Sequence, residues 1–368
     1  MPSRIKLFSF SIIIILIFNL TCTHSLYAQS ITSDMIYADI VPYTKVNNLT
    51  DFKNTLQIAA NNLQSEITLK VPNADINTYS NIVYKLTGIS SYHLSLSKSS
   101  SFSTLVVSLK YKQAYRLTQA LKNTTAYNRL TPSDLALLDI AQSTIVQIIS
   151  PNMSDYEKEL AIHDYIVTTT SYDYDRLHND TIPDSSYTAA GVLINKVAVC
   201  EGYSEATKLL LNLIGIECEI VTGLATNNTP HAWNIVKIDG EWYMLDTTYD
   251  DPVIFNNGKR IETLSYDYFN VTSATLKKDH SWDSSMWPNA SGTKYNYFIA
   301  SNKIVNNYSE FKAYVISQIK AGEKEILCYV NNYNPSTYNL NFIFDYYPSS
   351  IQYSTPTSIN GSFKISLQ

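Results

Sequence analysis

The tightest constraint on this chain lies at Asp239-Gly240. Two runs of alternating apolar and polar residues, 231–238 and 241–248, flank it. Asp-Gly is the dipeptide favoured by two-residue type I′ turns, in which both central residues need positive φ. Such a turn fixes the register of the hairpin: Ile238 faces Glu241, Trp233 falls opposite Asp246, and His231 falls opposite Thr248. His231 and Asp246 then lie diagonally on one face of adjacent strands, with Cβ atoms roughly 6–8 Å apart. A carboxylate can reach an imidazole across that gap, hold it in one tautomer and stabilise its protonated form.

The third member of the constellation is Cys200. After it, Tyr203, Ala206, Leu209, Leu210 and Leu213 recur at helical spacing, and Gly215 supplies a left-handed stop. Cys200 therefore opens a helix, where unsatisfied N–H groups and the positive end of the macrodipole favour a thiolate. An arbitrary cysteine beside a helix is usually a buried structural thiol. Cys218 reads that way, alternating with Ile216 and Ile220 on the apolar face of a strand, and so does Cys328 between Leu327 and Val330. Those two are either a disulfide or two free core thiols. His163, His178 and His280 lack paired ligand spacing and the cysteines are scattered, so neither a metal nor any other cofactor is expected. His163 reads as a structural histidine.

The segments HDYIVTTTSYD, VCEGYS, HAWNIV and WYMLDTTYDDP, spread over residues 163–252, resemble the core of the transglutaminase-like superfamily, whose fold is related to papain-type cysteine peptidases. The resemblance is to the bacterial secreted branch. It implies an α+β core in which a helix bearing the cysteine packs on an antiparallel sheet bearing His and Asp, and it implies a catalytic triad of Cys200, His231 and Asp246. Calcium activation is not carried over, because no acidic loop has calcium-ligand spacing. The backbone N–H of Cys200 is one natural oxyanion donor, and Tyr187, Tyr172 or a backbone group are candidates for a second. Trp233 and Tyr203 are candidate walls of a substrate channel, with ordinary core packing as the competing reading.

These readings lead to a thiol enzyme that attacks amide bonds of proteins or peptides through an acyl-thioester. An entering amine would make it a cross-linking acyltransferase, and an entering water would make it a peptidase or amidase. The alternative is a non-catalytic cell-surface binding or scaffolding protein built on the same domain.

The N-terminus bears on location. Arg4 and Lys6 precede an apolar run over 7–20, and a polar stretch leads to Ala28, which reads as a secretory signal peptide over residues 1–28. An uncleaved anchor is the competing reading, but the run is shorter than the roughly 20 apolar residues of a span and contains Ser9, Ser11 and Asn19. Lipidation of Cys22 fits poorly with the Asn19-Leu20-Thr21 before it. Cleavage would leave no integral span, and losing two basic residues would take the net charge from −5 to about −7, which disfavours a nucleic-acid partner. The expected setting is secreted, extracellular or cell-surface, with a protein or peptide substrate that is itself associated with the surface or wall; the oligomeric state is left open. The 29 tyrosines suit uncharged, β-rich surfaces that meet polymers.

Around the catalytic domain, assigned to 126–298 with its core at 160–252, the pattern suggests two small flanking α/β modules. An N-terminal one over 31–125 combines a helix at 50–63 with strands at 65–71, 92–97 and 104–111. A C-terminal β-rich one covers 299–368, with 338–347 read as β structure. The tetrad Ser309-Glu310-Phe311-Lys312 echoes Thr50-Asp51-Phe52-Lys53, and Glu325-Ile326 echoes Glu66-Ile67 at the same spacing, so the two ends are candidates for related modules. Helices are expected at 133–149 and 155–168.

Overall fold

Asn48 starts the first helix among the described residues, α1 (Leu49–Asn61), by accepting the N–H of Asp51 at 2.9 Å, a side-chain cap that satisfies one of the orphan donors of the first turn. The computed structural model to which α1 belongs describes residues 44–72, 75–98, 103–256, 259–261, 264–356 and 361–368. The signal-peptide reading and the expectation for Cys22 lie outside those residues. Phe52, Leu56, Ala59 and Ala60 form the buried stripe of α1, and Leu63, at φ 54°, turns the chain into β1 (Glu66–Val71). There follow α2 (Ile76–Tyr84), β2 (Ile89–Lys98), β3 (Ser103–Tyr111) and α3 (Gln113–Lys122). Strand β3 lies between β1 and β2 and is antiparallel to both. The short helix α2 has no counterpart in the sequence reading; it is held by Tyr79, which meets Phe52 edge-on at 4.9 Å.

Two capping boxes start the next helices. Thr131 and Asp134 open α4 (Pro132–Ile148), and Ser154 and Glu157 open α5 (Asp155–Thr169). The first cap is thus Thr131, ahead of the Ser133 start expected from sequence, since the proline at the first helical position has no N–H to lose. Arg116 clamps Asp134 through Nη2 at 2.6 Å and Nε at 3.2 Å, tying α3 to α4. Helix α6 (Cys200–Leu213) runs through the middle of this core, with ten successive residues, 202–211, buried. It lies against β4 (Cys218–Ala225) and β5 (Thr229–Ile238) of a three-stranded antiparallel sheet completed by β6 (Glu241–Leu245). Buried Asn234 pins sheet to helix, donating to the Ser204 carbonyl at 3.0 Å.

The C-terminal end repeats the N-terminal arrangement. Asn307 caps α7 (Tyr308–Ala321) by accepting the N–H of Glu310 at 3.0 Å, as Asn48 does for Asp51. Gly322, at φ 83°, takes the place of Leu63, and β7 (Glu325–Val330) follows. In the sheet of β7, β8 (Ile351–Ser354) and β9 (Ser362–Leu367), β9 lies between the other two and is antiparallel to both, as β3 is. Glu66 faces Ser108 and Glu325 faces Ser366, and each serine donates to its glutamate, at 3.3 and 2.6 Å. Phe52 and Phe311 occupy corresponding buried positions on the two helices.

Residues 338–347 are not a strand: Asn341–Asp345 form a 3-10 turn. Tyr338 and Ile343 point into the core against Phe311 while Phe344 and Tyr346 stay exposed, and this mixed burial resembles strand alternation in the sequence. With its 14-residue helix this end is α/β, not simply β-rich. Among the described residues the cysteines are free, Cys218 buried in the central core and Cys328 in the C-terminal one. No described helix is long and apolar enough to cross a membrane.

Candidate active site

Cys200 is the first residue of α6, and Val199 before it offers no side-chain cap. The free N–H groups of the first turn therefore face the thiol end of the helix. The close approach of the 184–188 turn explains a glycine so near the start. A Cβ on Gly202 would fall 2.5 Å from the Ser186 carbonyl and 2.9 Å from the Ala198 Cβ. That turn is held by the Val199 N–H on the Ser186 carbonyl at 3.0 Å and by the Ser186 hydroxyl on Asp173 at 2.7 Å.

In the hairpin, Ile238 pairs with Glu241 and the ladder continues to Asn234 opposite Leu245, through Asp239 at φ 50° and Gly240 at φ 84°. The strand stops there because the Asp246 Oδ1 accepts the N–H groups of Thr248 and Tyr249, each at 3.0 Å. That turn fixes the carboxylate while its other oxygen, Oδ2, accepts from His231 Nε2 at 2.7 Å. The diagonal relation expected from the turn is thus the one that brings these two side chains together. With Nε2 committed to Asp246, Nδ1 is the nitrogen left for Cys200, which favours the protonated ring.

Burial of His231 opposes its protonated form, but the charge and hydrogen bond of Asp246, helped by Cys200, outweigh burial and push the imidazole up to about 10. Burial likewise opposes ionisation of Asp246, and the cations of His231 and His280 overcome it, holding the carboxyl well below its ordinary range. At neutral pH the pair is an imidazolium on a carboxylate, next to a thiol at a helix N-terminus.

His280 is the residue that sequence reading missed. Its Nε2 lies 3.2 Å from the same Asp246 Oδ2, and its Nδ1 lies 2.6 Å from Asp279 Oδ1. Two carboxylates facing the two ring nitrogens favour the protonated form of His280, in which both nitrogens donate. Burial opposes this, and the two aspartates prevail. Tyr268 donates to the far oxygen of Asp279 at 2.5 Å, so a hydrogen-bonded series runs from Tyr268 through Asp279, His280 and Asp246 to His231. His231, Asp246 and His280 also form the group, among the described residues, whose donor atoms lie close enough for a metal ion, all within 4.8 Å. Both imidazoles use Nε2 on the carboxylate, which makes the cluster self-satisfied by hydrogen bonding.

The other candidates divide. Tyr172 is half-buried near Cys200: burial first, then the charge of Cys200, raise its phenol, which therefore stays protonated and able to donate. Tyr187 is 41 % exposed at the rim. Tyr203 and Trp233 are fully buried and line no open channel. The Tyr203 hydroxyl is spent on Asp251, and Trp233 stacks under His231 at 5.9 Å and meets His280 edge-on at 5.1 Å, forming the floor of the imidazole pair. His163 is buried, with Nδ1 3.0 Å from Asp164 and Nε2 3.1 Å from Asp250.

The family model of the transglutaminase-like superfamily matches residues 142–247. Kyphoscoliosis peptidase of Mus musculus is 22 % identical over 146 residues, covering 36 % of this chain and 22 % of that protein. The Homo sapiens protein of the same name is 24 % identical over 100 residues, covering 24 % of this chain and 15 % of its own length. This chain therefore spans less than a quarter of either relative. A TGase crystal structure aligns over 55 % of this chain and 59 % of its own, at 18 % identity and a TM-score of 0.30. The segment that matches this family model, residues 142–247, is the one that carries Cys200 at a helix start and His231 and Asp246 on one hairpin.

Proposed function

We propose that the protein is a secreted thiol enzyme that cleaves amide bonds of polypeptides through Cys200. The observation that carries this reading is the 2.7 Å hydrogen bond between His231 Nε2 and Asp246 Oδ2, which leaves Nδ1 for the thiol. The thiolate adds to an amide carbonyl and the oxyanion forms within reach of the Cys200 N–H. As the C–N bond breaks, the imidazolium of His231 gives its proton to the leaving amine, and a C–S thioester remains. Water, deprotonated by the now neutral His231, then attacks the thioester, releases the acid and restores the thiol. Hydrolysis is placed ahead of amine transfer because both curated relatives are named as peptidases. Secretion is supported by the basic and apolar pattern of residues 1–28.

Incubation with a glutamine-bearing unfolded protein and a labelled primary amine, followed by mass spectrometry, separates the outcomes. Chain cleavage or deamidation without amine incorporation is expected. Amine incorporation in excess would make the enzyme an acyltransferase, and none of these products, with Cys200→Ala equally inert, would leave the domain a binding module.

A further inference from the structure

Strand β4 is the outer strand of the sheet that bears His231, and its odd-numbered residues bond to β5, as the Lys237 N–H on the Glu217 carbonyl at 2.9 Å shows for the pair just before it. The main-chain groups of Cys218, Ile220, Thr222 and Leu224 therefore point away from the sheet. At one end both groups of Cys218 are taken by the Asn212 amide, at 3.0 and 3.1 Å. At the other, Leu224 exchanges both hydrogen bonds with Ser281 in an antiparallel bridge, at 2.9 and 2.8 Å. Between these closures the N–H and C=O of Ile220 and Thr222 have no partner among the described residues.

This two-residue window opens into a cleft of about 710 Å³ between β4 and the end of α2 with the start of β2. Trp282, Trp287 and Tyr92 supply aromatic wall. The cations in it are already paired, Lys112 with Glu201 at 2.8 Å and Lys208 with Glu219 at 2.5 Å, so the cleft offers no free positive field for a polyanion. What it offers is a donor and an acceptor on Ile220 and again on Thr222, about 7 Å further along the strand. Extended polypeptide carries the complementary groups at that repeat, and the chain's own Ser281 already pairs with this edge in that way.

We propose that the Ile220–Thr222 edge docks an extended segment of the polypeptide substrate as an added fourth strand of the catalytic sheet. The occupant is taken from the proposed function; the site itself stands on the unpaired edge and the cleft. The open window between the Asn212 and Ser281 closures fits about three residues of docked chain, and the aromatic wall gives its side chains an apolar surface.

The test uses the full-length Cys200→Ala protein, which cannot turn over, and reduced carboxymethylated ribonuclease A as an unfolded polypeptide. Adding that chain should slow hydrogen exchange at the Ile220 and Thr222 amides by at least tenfold. Thr222→Pro, which removes only the outward N–H of an outer strand, should weaken binding at least tenfold, and Thr222→Val, which keeps it, should bind as the parent does. Unchanged exchange at both amides, equal affinity of the proline variant, or protection given instead by a soluble glucan would overturn the site. Binding is read without turnover, so an inactive wild-type enzyme that still protects these amides would remove the proposed reaction and leave the docking edge standing.

Discussion

His231 and His280 approach the same carboxylate oxygen, Asp246 Oδ2, from two sides, at 2.7 and 3.2 Å. Asp279, 2.6 Å behind His280, is the second carboxylate that favours the protonated form of that ring. The arrangement keeps Asp246 ionised and prevents it from rotating away from His231.

Replacing His280 with Gln keeps a donor near Asp246 and removes the cation. Asp246 should then hold its proton more tightly, and His231, no longer facing a second positive ring, should do the same. Both limbs of the pH profile of kcat/KM are expected to move to higher pH, by about one unit, with an approximately tenfold loss at neutral pH. A loss of rate with both limbs unmoved would reduce His280 to a packing role.

Cys200 should be the thiol that reacts. Cys218 is buried and its thiol pushed well up by burial, and Cys328 is pushed up to about 12 in the same way. Iodoacetamide at pH 7 is expected to alkylate Cys200 alone, since it is the cysteine beside the His231 imidazolium, which persists to about 10. His231→Ala, which removes the adjacent cation, should slow the reaction at least tenfold. Peptide mapping reads the result, and equal labelling of Cys218 would count against the ion pair.

Stability should fall as the solution becomes alkaline. Burial raises Glu159 from 4.5 to about 8, only partly offset by Asn270 and His163. For His163 burial acts downward, but Asp164 and Asp250 carry it from 6.5 up to about 9. In both cases the folded state holds a proton that the unfolded chain releases earlier, so the contribution is fully present below the unfolded value and is lost as pH rises through the folded one. Thermal unfolding followed by circular dichroism should show Tm dropping by roughly 3–8 °C between pH 6 and 9. Glu159→Gln, which cannot ionise, should flatten that slope, and an unaltered slope in the variant would refute the assignment.

Gly202→Ala tests how closely the 184–188 turn presses on the helix that Cys200 opens. The added Cβ meets backbone oxygen at 2.5 Å and cannot be relieved by a rotamer change. A loss of about 1–3 kcal/mol is expected from such overpacking, together with slower alkylation of Cys200 as the first turn shifts. Denaturant unfolding measures the first and mass spectrometry the second; a variant as stable as wild type would show that the turn moves freely.

The features legible in the sequence were those governed by neighbours along the chain. Asp239-Gly240 dictates a turn, the turn dictates a register, and the register places His231 diagonal to Asp246. Helical spacing after Cys200 and the stop at Gly215 put the thiol at a helix start. The paired motifs around Phe52 and Phe311 belong to two units with one strand order, although the caps Asn48 and Asn307 carry that likeness in structure. Residues 338–347 misled because Tyr338 and Ile343, buried on one side of an irregular turn, and the exposed Phe344 and Tyr346 alternate much as residues of a strand do.

What tertiary structure alone decided is the environment of Asp246. His280 lies 34 residues further along the chain and reaches the carboxylate because Ser281 bridges to Leu224 on the outer strand and Asp279 is held by Tyr268. None of those contacts has a local period or a fixed spacing. The buried Tyr203 and Trp233, and the free edge at Ile220 and Thr222, are likewise decided by which segments cover a surface and which leave it open. Sequence periodicity specifies the face that a residue points to; only the packed chain determines what meets it there.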